Sequence, residues 1–164
     1  MSVSATIKVE GVKDAIKELG RISPELRKQF NRDAQGIMAP VVLDAKSRYP
    51  DLPLSGMARG WRDASGRQIL PWDAAKVRRG LRLKIDTSRK NLNVIYLQQS
   101  DRAGAAFESA GRRSPDAFAR ALGPLRNFNT RVMGPALSRR ANTVEDGIQR
   151  IVRDVMRRTG RKVA

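Results

Sequence analysis

The sequence contains no cysteine and no histidine. Their absence excludes thiol nucleophiles, disulfides and Cys/His zinc sites, and it removes the usual general base near neutral pH. Carboxylate metal sites and chemistry based on Asp and Lys stay open. Aromatic residues are also few, at 5% of the chain. This weakens any interpretation that depends on bases stacking on aromatic rings.

Long apolar runs are missing as well. No stretch approaches the roughly 20 apolar residues that a membrane-spanning helix requires. The first residues, Met1–Ser4, lack the basic-then-apolar pattern of a secretory signal. We therefore expect a chain that is made and folded in a cytoplasm and that has no membrane as a partner.

The sequence motifs that usually carry catalysis do not occur. There is no glycine loop with a following Lys-Ser/Thr to hold phosphate, and no two-glycine dinucleotide fingerprint after a predicted strand. Asp63 and Asp73 could form a carboxylate pair, but the many nearby arginines favour ion pairs instead. We expect no catalytic residue, no cofactor and no metal site, and an enzyme is the least favoured class.

Positive charge is what the chain has in excess. The net charge is +17, from 33 Lys and Arg against 16 Asp and Glu, and the excess grows toward the C-terminus. Such a field favours polyanions: DNA, RNA, an acidic protein surface or anionic lipid. Arginine outnumbers lysine 24 to 9, and arginine suits bidentate pairing with carboxylate or phosphate. A GC-rich genome, in which arginine codons are common, explains the same bias without a function.

The apolar spacing of the first 50 residues predicts a strand and two helices. We predict a strand over Ala5–Gly11 and a short helix over Val12–Leu19 that Gly20 ends. Ser23 is a suitable N-cap for a long helix that runs to about Arg48. At 164 residues the chain is long enough for a single domain, 1–164, with a substantial core.

Residues 51–79 are predicted to form an extended loop or arm. The segment is rich in glycine, proline and basic residues, and it contains Trp61, Arg62 and Trp72. Loops of this length in a compact domain are usually functional or disordered, and Trp with Arg favours contact with a partner. The alternative is that both tryptophans pack the loop onto the core.

Alternating apolar residues predict an antiparallel strand pair over Leu81–Ile85 and Leu92–Gln98, with the second strand more central. Ala103–Gly111 is predicted to be small and flexible, and Ala117–Leu122 a short helix. The sequence as a whole predicts an α+β fold. A small antiparallel sheet packs against a long N-terminal helix and a C-terminal amphipathic helix.

Apolar residues at helical spacing predict one long helix from Leu137 to Val155, with a basic opposite face. The functional interpretation is a face that docks on an acidic partner or on DNA phosphates. The alternative is a solvated face opposite the core. The candidate docking residues, on this face and in the arm, are Arg139, Arg150, Arg153, Arg157, Arg161, Trp61, Arg62 and Trp72.

Several segments carry a resemblance to a known family. Ile7–Leu19 resembles the start of tailed-phage neck proteins, which are described as tail-completion, tail-terminator-like or minor tail components. Their pattern is a strand ending in glycine, a short helix, and a long helix ending near Ala-Pro or Tyr-Pro, which here is Tyr49-Pro50. Leu54–Trp61 and Gly134–Leu137 are similar to later family segments.

The resemblance implies a structural virion protein of a siphophage neck, which completes or terminates the tail and joins it to the DNA-filled head. It implies a ring of copies of this chain, sixfold like a tail tube, with DNA passing through the channel. Neighbouring head-completion and tail-tube proteins would be partners, and the ring would lie at the head–tail junction after assembly in the host cytoplasm. The charge leaves a second interpretation, a generic basic nucleic-acid-binding protein such as a packaging or architectural factor, although no reader motif accompanies it.

Overall fold

The computed structural model gives an α+β fold, as the sequence predicts: the described part of the chain contains seven helices and a three-stranded antiparallel sheet. The residues that the structure describes are 3–8, 12–22, 24–53, 60, 62–86, 94–112, 117–123, 125 and 128–158. In chain order the elements are β1 (Val3–Lys8), α1 (Val12–Ile22), α2 (Pro24–Ser47), α3 (Ala74–Gly80), β2 (Leu81–Asp86), β3 (Val94–Gln99), α4 (Arg102–Ser109), α5 (Ala117–Ala121), α6 (Met133–Arg139) and α7 (Ala141–Arg158).

The sheet has the strand order β1-β3-β2, and both pairs are antiparallel. Gln99, at the end of β3, is opposite Val3 of β1 and Leu81 of β2. The prediction of a strand pair with a central second member is therefore confirmed. Because β3 has a neighbour on each side, Ile95 and Leu97 are fully buried, in keeping with its denser apolar content.

The N-terminal helices form as their apolar spacing predicts. In α1 the stripe Val12, Ala15, Ile16 and Leu19 is buried, and Gly20 does not end the helix, which continues to Ile22. A helical glycine costs about 1 kcal/mol, which the packing of the stripe outweighs. The long helix α2 begins at Pro24 and ends at Ser47, close to the predicted end, whereas its predicted N-cap lies outside the described residues. The apolar stripe of α2 is buried at Phe30, Ala34, Met38, Val41 and Ala45.

Two segments predicted to be irregular are helical. Ala103–Gly111 is mostly α4, not a flexible segment, because its small residues allow close packing and Asp101 caps the helix by accepting from the Gly104 N–H at 2.8 Å. The end of the predicted arm is α3, which Asp73 caps by accepting from the Lys76 N–H at 3.0 Å. Both helices are shorter than three turns, so neither gives a long periodic signal.

The predicted C-terminal helix is two helices. Helix α6 ends at Arg139, Arg140 leaves helical geometry, and α7 begins at Ala141. The apolar spacing continues across this break because both helices bury a face: α6 packs on β1 and α2, and α7 packs on α1 and α2. The buried face of α7 consists of Val144, Ile148, Val152 and Val155.

Gly147 lies at a close contact between α7 and α2. A Cβ atom on Gly147 would lie 2.9 Å from Cγ2 of Ile37, whereas one on Gly36 would have no neighbour within 4 Å. Both glycines are inside helices, so alanine gains about 0.5–1 kcal/mol of backbone stability at either site. We expect Gly36→Ala to raise the free energy of unfolding by that amount. Overpacking makes Gly147→Ala a net loss of about 1–2 kcal/mol. Urea unfolding of both variants measures the difference, and equal effects would contradict the close packing.

Candidate docking surfaces

The exposed face of α7 is the clearest candidate docking surface. We define the α7 basic face as Arg150, Arg153 and Arg157, all three of which are exposed. Helical spacing places these residues on the side opposite the buried stripe, so the fold points them away from the core. This arrangement follows directly from the predicted amphipathic pattern.

The charges of the α7 basic face are only partly balanced within the helix. Arg157 donates to Asp154 at 2.8 Å, and Arg153 donates to the Gln149 carbonyl oxygen at 3.4 Å. The Arg157 side chain keeps 79% of its surface exposed, and exposed ion pairs of this kind contribute little to stability. An acidic partner could therefore replace these contacts at small cost.

Arg139 belongs to a different contact. Its guanidinium donates twice to Oδ2 of Asp44, at 2.6 and 3.2 Å, and thereby ties α6 to α2. Arg48 donates to the other carboxylate oxygen of Asp44 at 3.0 Å. The hydrogen bond from Arg139 is the main reason that the pKa of Asp44 lies below its ordinary value. The structure thus assigns Arg139 an intramolecular partner. Arg161 lies outside the described residues.

The predicted docking residues of the arm also differ in whether they pack on the core or are exposed. Trp72 is half-buried, its ring centroid lies 5.3 Å from that of Phe107, and its Nε1 donates to the Pro50 carbonyl oxygen at 3.2 Å. Trp72 therefore packs this segment onto the core, which is the alternative given for the tryptophans. Arg62 is exposed and donates to the Gly66 carbonyl oxygen at 2.6 Å, within a tight turn. Trp61 lies outside the described residues.

The two candidate carboxylates form local ion pairs, as predicted. Oδ2 of Asp63 lies 3.4 Å from Nε of Arg67, and Oδ2 of Asp73 lies 3.6 Å from Nζ of Lys76. The hydrogen bond from the Ser65 side chain is the main cause of the lowered pKa of Asp63, and the Lys76 N–H is the main cause for Asp73. Asp63 thus stabilises the turn in which it lies, and Asp73 stabilises the N-terminus of α3. Within the described residues, no group of three or more acidic side chains is placed to hold a metal ion.

A buried polar network, which sequence reasoning missed, connects α4 with the start of α6 and with Tyr49. Glu108 of α4 is fully buried and accepts from the Tyr49 hydroxyl at 2.6 Å and from the Val132 and Met133 N–H groups at 3.0 and 3.3 Å. It therefore caps the N-terminus of α6 from another helix, since Val132 supplies no side-chain cap of its own. Burial raises the pKa of Glu108, and these hydrogen bonds oppose the rise.

Arg131 caps the C-terminal ends of two helices, α4 and α5. Its guanidinium donates to the carbonyl oxygens of Phe107 and Ala110 at the end of α4, each at 2.8 Å. It also donates to the carbonyl oxygens of Leu122, at 3.3 Å, and Gly123, which follow α5. One planar side chain with five donors thus satisfies the free carbonyl groups of both helices.

Gln99 links the sheet to the same network. Its amide nitrogen donates to the Val77 carbonyl oxygen at 3.0 Å and to the Tyr49 hydroxyl at 3.2 Å. Gly104 leaves room for this side chain, because a Cβ there would lie 2.7 Å from Cδ of Gln99. The network is closed to solvent at Gln99, Glu108 and Tyr49. It therefore positions α3, α4 and α6 relative to one another.

The structure is an α+β protein with an exposed basic face on α7 and a buried polar network. A scan against protein-family models, a search of curated proteins and a search of solved structures each find no match to this chain. None of the described helices combines the length and apolarity that crossing a membrane requires.

Proposed function

We propose that this protein is a structural subunit of the tailed-phage neck, which completes or terminates the tail and joins it to the filled head as part of a ring. The observation that carries the proposal is the resemblance of Ile7–Leu19 to the opening of those proteins. The order of β1, α1 and the long helix α2 agrees with the pattern on which that resemblance rests. A ring of identical copies uses heterologous contacts that close on themselves.

The α7 basic face suits the docking step of such an assembly. Its three exposed arginines can form bidentate pairs with carboxylates on a neighbouring protein. A basic lining would hinder DNA that slides through a channel, because each contact with a phosphate adds salt-dependent affinity for the DNA. We therefore assign this face to an acidic protein neighbour and not to the channel.

Removing the α7 basic face tests this assignment. We expect Arg150→Ala, Arg153→Ala and Arg157→Ala together to leave the monomer folded, because all three side chains are exposed, and to reduce neck assembly at least about tenfold. The measurement is the yield of infectious particles when the variant is the only copy supplied to the source phage. Circular dichroism of the purified variant reports folding.

A matched control removes the same charge elsewhere. Lys17, Lys28 and Arg32 are exposed on α1 and α2, and their joint replacement by alanine lowers the net charge equally. The control variant is expected to assemble normally. Normal infectivity of the α7 variant, or equal loss in both variants, would overturn the assigned role of this face.

Immunogold electron microscopy with an antibody to the chain locates the protein in the particle. No label at the head–tail junction would overturn the neck proposal.

Nucleic-acid binding is the second candidate, and the exposed arginines of α7 together with the net charge of +17 favour it. Binding through phosphates predicts an affinity for DNA that falls steeply and linearly on a plot of log affinity against log salt concentration. Submicromolar binding near physiological salt, reduced by the α7 variant and not by its control, would favour this candidate. It would also remove the reason for assigning the face to a protein.

A further inference from the structure

A second surface, at the free edge of the sheet, is separate from the α7 basic face. Among the described strands, β2 pairs only with β3, so its other edge carries backbone N–H and C=O groups without a strand partner. Such an edge is a template for an added strand from another chain. Leu81 and Leu83 alternate along β2 with Arg82 and Lys84, so the two sets of side chains point to opposite faces.

An open apolar groove runs along this edge. It has a volume of about 480 Å³ and lies between α2 and β2. Leu43 of α2 is 71% exposed, one of two large apolar side chains of the described residues with such exposure, and Val42 beside it is half-buried. We call this surface the β2 groove, and its lining residues are Gln35, Ala39, Val42, Leu43, Lys46, Leu81, Arg82 and Leu83.

The charges around the β2 groove are of one sign. Lys46 and Arg82 line it, the exposed Lys84 continues the row along the same face as Arg82, and none of the described lining residues is acidic. Asp44, next to Leu43 in the chain, is already bound by Arg139 and Arg48. A second copy would bring another net charge of +17 to this edge. Charge complementarity therefore favours an acidic partner over self-association.

We propose that the β2 groove binds an extended acidic segment of another protein, which adds to β2 as a fourth strand. Alternate side chains of the added strand point to opposite faces of the sheet. Apolar residues would cover Leu43 and Val42 on the α2 side, and carboxylates would meet Arg82 and Lys84 on the other side. The partner is thus defined by its chemistry: a strand in which acidic and β-branched apolar residues alternate. This site goes beyond the proposed docking through α7 and does not depend on it.

The test uses a synthetic peptide as the probe. An eight-residue peptide of alternating glutamate and valine, with blocked ends and a fluorescent label, is titrated with the full chain while anisotropy is measured. The same peptide N-methylated at every residue keeps the charge but loses the backbone donors on both of its edges, and we expect it to bind at least about tenfold more weakly. Equal binding of the two forms would overturn strand addition.

Variants of the protein locate the site. We expect Leu43→Asp, and separately Arg82→Glu with Lys84→Glu, to weaken binding at least about tenfold. Leu52→Asp, at a side chain that is 63% exposed, is the matched apolar control. Lys17→Glu with Arg120→Glu, at exposed positions of α1 and α5, is the matched charge control. Both controls are expected to stay within about twofold of the parent. A loss in the charge control equal to that in the Arg82→Glu, Lys84→Glu variant would overturn the site, because it would show attraction to overall charge.

Charge reversal supplies the complementary result. A peptide of alternating lysine and valine is expected to bind the Arg82→Glu, Lys84→Glu variant and not the parent chain. Leu43, Arg82 and Lys84 are all exposed, so the substitutions leave the core unchanged, and circular dichroism verifies this. Failure of the acidic peptide to bind the folded parent chain at millimolar concentration would overturn the proposal. The neck assignment would be unaffected, since its test uses a different face.

Discussion

Replacing Glu108 with alanine is expected to lower the free energy of unfolding by about 3–5 kcal/mol. The carboxylate accepts from the Tyr49 hydroxyl and from the Val132 and Met133 N–H groups, all in a region closed to solvent. Alanine leaves these buried donors without an acceptor and removes the cap of α6. Urea unfolding at neutral pH, followed by circular dichroism, measures the loss. A loss below about 1 kcal/mol would contradict the capping role.

Glu108→Gln separates the charge of this side chain from its shape, since the amide fills the same space and never ionises. Burial raises the pKa of Glu108 above the ordinary value of 4.5, so the folded state binds a proton that the unfolded state releases. The part of the stability that depends on protonation of this carboxyl is therefore fully present below pH 4.5 and is lost as pH rises from that value through the raised pKa. The parent chain should lose stability relative to Glu108→Gln across this window. A difference that does not vary with pH would contradict the raised pKa.

Local periodicity made much of the fold predictable. The buried stripe of α1 and the stripe of α2 from Phe30 to Ala45 recur at helical spacing, and β2 alternates as a half-buried strand does. These patterns report burial of one face, which a sequence records directly. The same reasoning placed Arg150, Arg153 and Arg157 on the exposed side of the last helix. Elements with a strong one-sided pattern were therefore found.

The buried network could not be predicted because its contacts join distant residues. Glu108 stands among small residues with no clear period, and its partner Tyr49 lies 59 residues away. Arg139 shared a sequence pattern with the α7 basic face, yet its partner Asp44 is 95 residues away. A charged residue in a sequence does not reveal whether it faces solvent or another helix. The free edge of β2 became visible only when the strand order was known.

The single side chain of Arg131 holds the ends of α4 and α5 together. Arg131→Ala is expected to lower the free energy of unfolding by about 2–4 kcal/mol. It leaves the carbonyl oxygens of Phe107 and Ala110 without their donor and removes the guanidinium that lies 5.9 Å from the centre of the Phe107 ring. It also removes the positive charge that interacts with Glu108. Urea unfolding measures the loss, and hydrogen exchange of the α4 amides shows where it occurs.

Arg131→Lys distinguishes geometry from charge. Lysine keeps the positive charge but presents its donors from one nitrogen, which cannot reach the carbonyl groups of both helices as the planar guanidinium does. We therefore expect lysine to recover less than half of the stability that alanine loses. Full recovery would show that charge alone matters and would contradict the bridging role.

Because Arg131 and Glu108 act in one network, Arg131→Ala should lower the free energy of unfolding by less in the Glu108→Gln background than in the parent chain. Additive losses would mean that the two side chains stabilise the helix ends independently.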